Sequence, residues 1–408
     1  MSNKWLKKEG PKWVEQNIIS EQQYEQILAQ YDDKQHGFGI LTVLGSVLIG
    51  LGILSFIAAN WQDIPQLLRL CLVIVIMVSF YAGGTVMHER GNKTAGTALL
   101  GIGLLSFGAN IFLIAQMYHL TSSSTASFII WSIAGLALLY LYGSRYIFIL
   151  TAVILNIAQY VSIFEFDSFN YIVFSLTALG LGFYALRAKD RMMMIIAMAS
   201  TVMHFITWLA KMEYSFLWVY LFIAFLYVLG DLLHKQISRW SVQIIPLLTA
   251  FLLGAWFAVV DFTYFDLEEM LQDLNVPVFS LIWIALFIAS AYLKFKKNAA
   301  SAYSIADWLL FLPVFLIGSG IDWMYLILLF VYSLFILLDG YREQNRTRVN
   351  AGTLMFLFVA LLAYFKLAWD FMDKSIMFIT GGVLLFVLSW FLNRRRKQLF
   401  NGEGGDEQ

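Results

Sequence analysis

The strongest constraint on this chain is a succession of apolar runs, each close to the roughly 20 residues that cross a bilayer as a helix. They lie at 38–60, 66–88, 95–117, 125–142, 145–164, 168–186, 191–210, 214–234, 241–260, 276–294, 302–318, 322–341, 349–369 and 375–393, with short polar breaks between them. Charged residues make up only 13% of the chain, against roughly 25% in a soluble domain. That leaves too little polar surface to cover a water-soluble globule of 408 residues. The sequence therefore predicts an all-α, polytopic integral membrane protein of about 14 transmembrane helices, with 125–142 and 302–318 the shortest runs. Its first partner is the lipid bilayer.

Charge supplies an expected orientation. Lysine and arginine translocate poorly and collect on the cytoplasmic side. With residue 1 inside and every run crossing, only Arg69, Lys211, Lys366 and Lys374 of the 27 basic residues fall outside. Both termini are thus expected in the cytoplasm. Three parts follow: a cytoplasmic helical hairpin at 1–36, a transmembrane domain at 37–393, and a basic-then-acidic cytoplasmic tail at 394–408. The N-terminal segment has no apolar core followed by a small-residue cleavage site, so the first hydrophobic helix is expected to direct insertion. In the hairpin, Ser20 and Gln23 have capping-box spacing. Tyr24, Ile27, Leu28 and Tyr31 share a helix face, which is expected to dock on the membrane domain or on a protein partner. Net charge is zero and the hairpin mixes lysines with carboxylates, so no nucleic-acid partner is expected.

Gly45–Phe56 (GSVLIGLGILSF) and Gly96–Phe107 (GTALLGIGLLSF) are identical at seven of 12 positions. Small residues let helix backbones approach in lipid, which marks Gly45, Ser46, Gly50 and Gly52, and Gly96, Gly101 and Gly103, as helix-packing positions. The repetition is read as a parallel duplication of hairpins, about 38–88 and 95–142, that brings the first and third spans together. Two Gly/Leu-rich helices alike by composition alone are the plainer alternative.

Polar groups at membrane depth face the bundle interior and either mark a pathway or tie helices together. Asn60, Asn110, Gln116, Asn156, Gln159, His204 and Asp307 are the candidates for a substrate path. Asn156 and Gln159 share a face, and Asp307 is the best coupling carboxylate, although it lies near one end of its run. Amides predominate in this set, and amides serve as glue as readily as ligands. Asp261–Asp273 is acidic, and from Asp266 it is patterned as a helix lying in the outer interface. A divalent-cation site is the sharper alternative there. The sequence contains no Gly-x-Ser-x-Gly, His-Glu-x-x-His or phosphate loop, and its single cysteine, Cys71, sits in an apolar run. No catalytic residue, cofactor or resident metal is expected.

Trp13–Ser20 followed by Tyr31, then Ala59-Asn60-Trp61, Ile64-Pro65, Arg69 and Gln116-x-Tyr118-His119, together resemble a bacterial family of membrane proteins, the domain of unknown function numbered 2157. Asn350-x-Gly352, Gly381-Gly382 and the Arg394–Lys397 tail are also similar to it, but the specific resemblance covers about residues 5–145. It implies a bacterial inner-membrane protein and supplies no site residues. The expected class is a non-enzymatic membrane protein of undetermined role. A carrier of a small or lipidic substrate and a scaffold using residues 1–36 compete behind it, and an enzyme comes third.

Overall fold

The structure is a computed structural model and describes residues 10–16, 18–30, 48, 55, 64–119, 125–233, 238–260, 271, 273–296, 305–318, 320–369 and 371–401. Gly45, Ser46, Gly50, Gly52 and Asn60 lie outside the described residues, as does nearly all of the acidic stretch 261–273. The chain divides into two compact units, Met1–Val75 and Ile76–Gln408. All regular structure among the described residues is helical.

In the first unit a short helix α1 (10–15) is followed by α2 (Glu21–Gln30). The capping box forms reciprocally: the Ser20 N–H donates to Gln23 Oε1 at 2.9 Å and the Gln23 N–H to Ser20 Oγ at 3.2 Å. Gly10 is buried against the Tyr24 ring, so the two helices pack as a hairpin. Helix α3 (Gln66–Glu89) begins in this unit and runs into the second.

The second unit continues through α4 (Lys93–Met117), α5 (Ala126–Tyr142), α6 (Arg145–Phe164), α7 (Tyr171–Ala188), α8 (Arg191–Lys211), α9 (Trp218–Leu233), α10 (Arg239–Val259) and α11 (Val276–Lys296). After a non-α segment come α12 (Ile321–Arg342), α13 (Arg346–Ala368) and α14 (Lys374–Asn401). Nine of these, α3, α4, α6, α7, α8, α10, α11, α12 and α13, are long and apolar enough to cross a membrane. Helices α5 and α9 and the Lys374–Trp390 part of α14 are shorter apolar helices. Outward faces carry bare apolar side chains such as Leu281, Ile288, Leu354 and Phe386, as lipid contact requires.

The expected count of 14 spanning helices is not confirmed; among the described residues of the run 302–318, the part from Asp307 onward is not α-helical. It is built of two 3₁₀ pieces, Asp307–Phe311 and Val314–Ile317, separated by Leu312-Pro313. Proline has no N–H to donate and forces the preceding residue out of the α region, and Leu312 is accordingly extended (φ −65°, ψ 124°). The segment still runs antiparallel to α11, since Trp308 meets Ser290 near one end of that helix and Phe315 meets Phe279 near the other. Irregular backbone at this depth is tolerated only inside protein. Trp283 Nε1 accordingly donates to the Phe311 carbonyl at 2.7 Å, and the rings of Tyr220, Phe257 and Phe279 pack on Phe315.

Helices α6 and α8 lie parallel. Arg145 pairs with Asp190 at 2.5 Å at their starts, Asn156 with Ser200 at 2.8 Å midway, and Lys211 with Asp167 at their far ends. Asp190 also caps α8, accepting from the N–H groups of Met192 and Met193 at 2.9 and 3.1 Å. Burial pushes its carboxyl up, but these amides and the Arg145 guanidinium outweigh that and hold it below the ordinary value. Helix α7, packed against both α6 and α8, contains a π-helical stretch at Leu176–Leu181. Helix α9 is the centre of the unit, with Tyr220, Ile223, Ala224, Tyr227, Gly230 and Asp231 all buried.

Candidate functional site

Because α9 is enclosed by α10, α11 and the 3₁₀ segment, any polar side chain on it must find its partners within the protein. Two do, and they join into one cluster with residues from four other elements. Asp231, near the end of α9, accepts from Gln243 Nε2 of α10 at 2.9 Å and from Ser290 Oγ of α11 at 2.7 Å. The Lys294 ammonium, one turn beyond Ser290, stands 3.7 Å from Asp231 Oδ2. Lys294 Nζ also donates to the Tyr227 hydroxyl at 2.9 Å. That hydroxyl donates in turn to Asp307 Oδ2 at 2.7 Å, while the Tyr332 hydroxyl of α12 donates to Asp307 Oδ1 at 3.1 Å. Trp308 Nε1 closes the cluster by donating to Ser290 Oγ at 3.1 Å.

The cluster is sealed: Asp231 is 1% exposed, Lys294 2% and Asp307 9%. Among the described residues it holds two carboxyl groups and one ammonium. With all three ionised, these groups sum to one negative charge in a low-dielectric interior, where net charge is costly. One added proton balances it. The polar partners suit a proton better than a metal ion, because the carboxylate oxygens already face N–H and O–H donors. Among the described residues no group of three or more His, Cys, Asp or Glu side chains could hold a metal.

Of the substrate-path candidates picked from sequence that lie among the described residues, only Asp307 belongs to this cluster. Asn156 and Gln159 lie on α6 and His204 on α8. Asn156 bridges to Ser200, which makes it a tie between helices. Gln159 and His204 are both buried. Asn110 is buried on α4, whereas Gln116 is exposed near the end of that helix. Gly96, Gly101 and Gly103 are all buried close contacts, against His88 backbone, the Tyr146 ring and the Tyr81 ring respectively. Sequence reasoning missed Lys294 altogether, counting it among the basic residues of a cytoplasmic break. Removing it from that tally does not change the sign of the bias. Tyr227, Ser290 and Tyr332 gave no signal, since each reads in isolation as an ordinary member of an apolar helix.

Fold and cluster together define an all-helical polytopic membrane protein with a buried ionic network. Residues 11–148 match a family described as "Predicted membrane protein (DUF2157)", the family that the Ala59-Asn60-Trp61 and Gln116-x-Tyr118-His119 stretches resemble. The match covers about a third of the chain and ends before the ionic cluster begins. No curated protein and no solved structure matches the chain.

Proposed function

We propose that this chain is a proton-coupled membrane carrier whose coupling site is the Asp231–Lys294–Asp307 cluster. One observation supports the reading above others: among the described residues, two buried carboxyl groups share the buried Lys294 ammonium, and Asp307 begins a stretch of 3₁₀ turns. Intramembrane ionisable groups of this kind mark proton and ion pathways, and carriers commonly build such sites on interrupted helices. In this reading Asp307 takes up the proton, and Tyr227 transmits the change to Lys294 and Asp231. Neutralising Asp307 weakens its hold on the hydroxyls of Tyr227 and Tyr332, and the Leu312-Pro313 break lets Asp307–Phe311 shift without dragging Val314–Ile317.

The test is charge movement. Proteoliposomes adsorbed on a solid-supported membrane and given a pH jump should show a transient current that is absent with Asp307→Asn. Wild-type vesicles that respond no more than protein-free ones would rule the proposal out.

We further propose that both termini are cytoplasmic, on the strength of the basic-residue distribution. In intact cells expressing single-cysteine variants on a Cys71→Ser background, a membrane-impermeant maleimide should label Glu213→Cys and spare Lys189→Cys. The opposite pattern would invert the orientation.

A further inference from the structure

The contact between α6 and α8 contains a second polar group that the ionic cluster does not use. Gln159 is 1% exposed and His204 2%. Neither the amide oxygen nor the amide nitrogen of Gln159 has a hydrogen-bond partner, and neither ring nitrogen of His204 has one. Buried polar atoms are almost always paired, so four unpaired ones on two adjacent helices call for an explanation. The two side chains stand at matching heights: Asn156, one turn before Gln159, bridges to Ser200, one turn before His204. The π-helical stretch of α7 packs against both of these helices. Such stretches are rare and occur mostly at functional sites.

We infer that Gln159 and His204 form a binding site for a small neutral solute carrying both hydrogen-bond donors and acceptors, such as a carboxamide, and that the site is closed in this structure. A primary amide and a neutral imidazole each offer one donor function and one acceptor function. Their complement is an uncharged molecule of mixed polarity. An ion has no counter-charge here, because the charged pairs of these helices, Arg145–Asp190 and Lys211–Asp167, lie at the helix ends. The Asn156–Ser200 bond holds the two helices together below the site, so opening requires α6 and α8 to part above it, against the irregular turn of α7. This site does not depend on proton coupling; it stands or falls on its own residues.

The experiment follows the reaction of diethyl pyrocarbonate with His204, read by peptide mass spectrometry on the full-length protein in detergent, with acetamide as the probe. His204 should react in the folded protein, and acetamide at twice its dissociation constant should slow the reaction about threefold, as simple occupancy requires. Sodium chloride at the same concentration should not. Gln159→Leu should leave His204 reactive and abolish the acetamide protection. A His204 that reacts only after unfolding overturns the proposal. So does reactivity that acetamide does not slow, equal protection by sodium chloride, or protection that survives Gln159→Leu. Should that variant fail to fold, the three wild-type arms decide.

Discussion

Replacing Lys294 with methionine is expected to destabilise the protein by about 3–5 kcal/mol, the usual effect of removing one partner from a buried ion pair. Methionine fills much of the lysine stem but takes the Lys294 ammonium away from Asp231 and Asp307 in the interior. The loss should shrink as the pH is lowered, because protonating a carboxyl cancels the charge left behind. Pairing Lys294→Met with Asp231→Asn should restore much of the stability, and a double-mutant cycle would report the coupling. Thermal unfolding in detergent over a range of pH provides the measurement. If Lys294→Met unfolds within about 0.5 kcal/mol of the wild type, in the range of a surface substitution, the cluster is not the ionic network described above. A further consequence separates stability from function. Asp307→Asn removes the charge and keeps one acceptor oxygen for the hydroxyls of Tyr227 and Tyr332, with an amide N–H in place of the other, so it should be tolerated far better than Lys294→Met while abolishing the charge movement.

How much of this could be read beforehand differs from one residue to the next. The spanning helices were legible because lipid imposes a length and a composition, and those survive in a bare sequence. Asp307 was legible because a carboxylate inside an apolar run has no cheap explanation. Lys294 was not, because a lysine in the last turn of a helix looks the same whether it snorkels to water or turns inward. Only the position of Asp231, on a helix 63 residues earlier in the chain, decides between the two. The run 302–318 carried its own warning in Pro313, which breaks an α-helix at that point. Apolar content alone could not tell a segment of 3₁₀ turns from an α-helix. The π-helical stretch in α7 left no comparable mark, since LTALGL is unexceptional helical sequence.

The glycines carry the second large expectation, at Gly96 and Gly352. A Cβ on Gly96 would lie 2.6 Å from the His88 amide nitrogen and 2.8 Å from the Gly84 carbonyl oxygen, both of them backbone. On Gly352 it would lie 2.6 Å from the Leu337 amide nitrogen. These are the points where α3 meets α4 and α12 meets α13, and in lipid such backbone contact is a principal source of helix association. At Gly101 the obstacle is the Tyr146 ring, which can swing aside. Gly96→Leu and Gly352→Leu should therefore each cost at least about 3 kcal/mol, at or beyond the upper end for overpacking, and Gly101→Leu less. Gly382 is the reference: it lies within α14 and has nothing within 4 Å of an added Cβ. Leucine there should be neutral or stabilising by up to about 1 kcal/mol from helix propensity alone. Melting temperatures of the four variants, purified in one detergent, test the order. If Gly96→Leu and Gly352→Leu melt alongside Gly382→Leu, the backbones do not meet at these glycines and the two hairpins must be held together some other way.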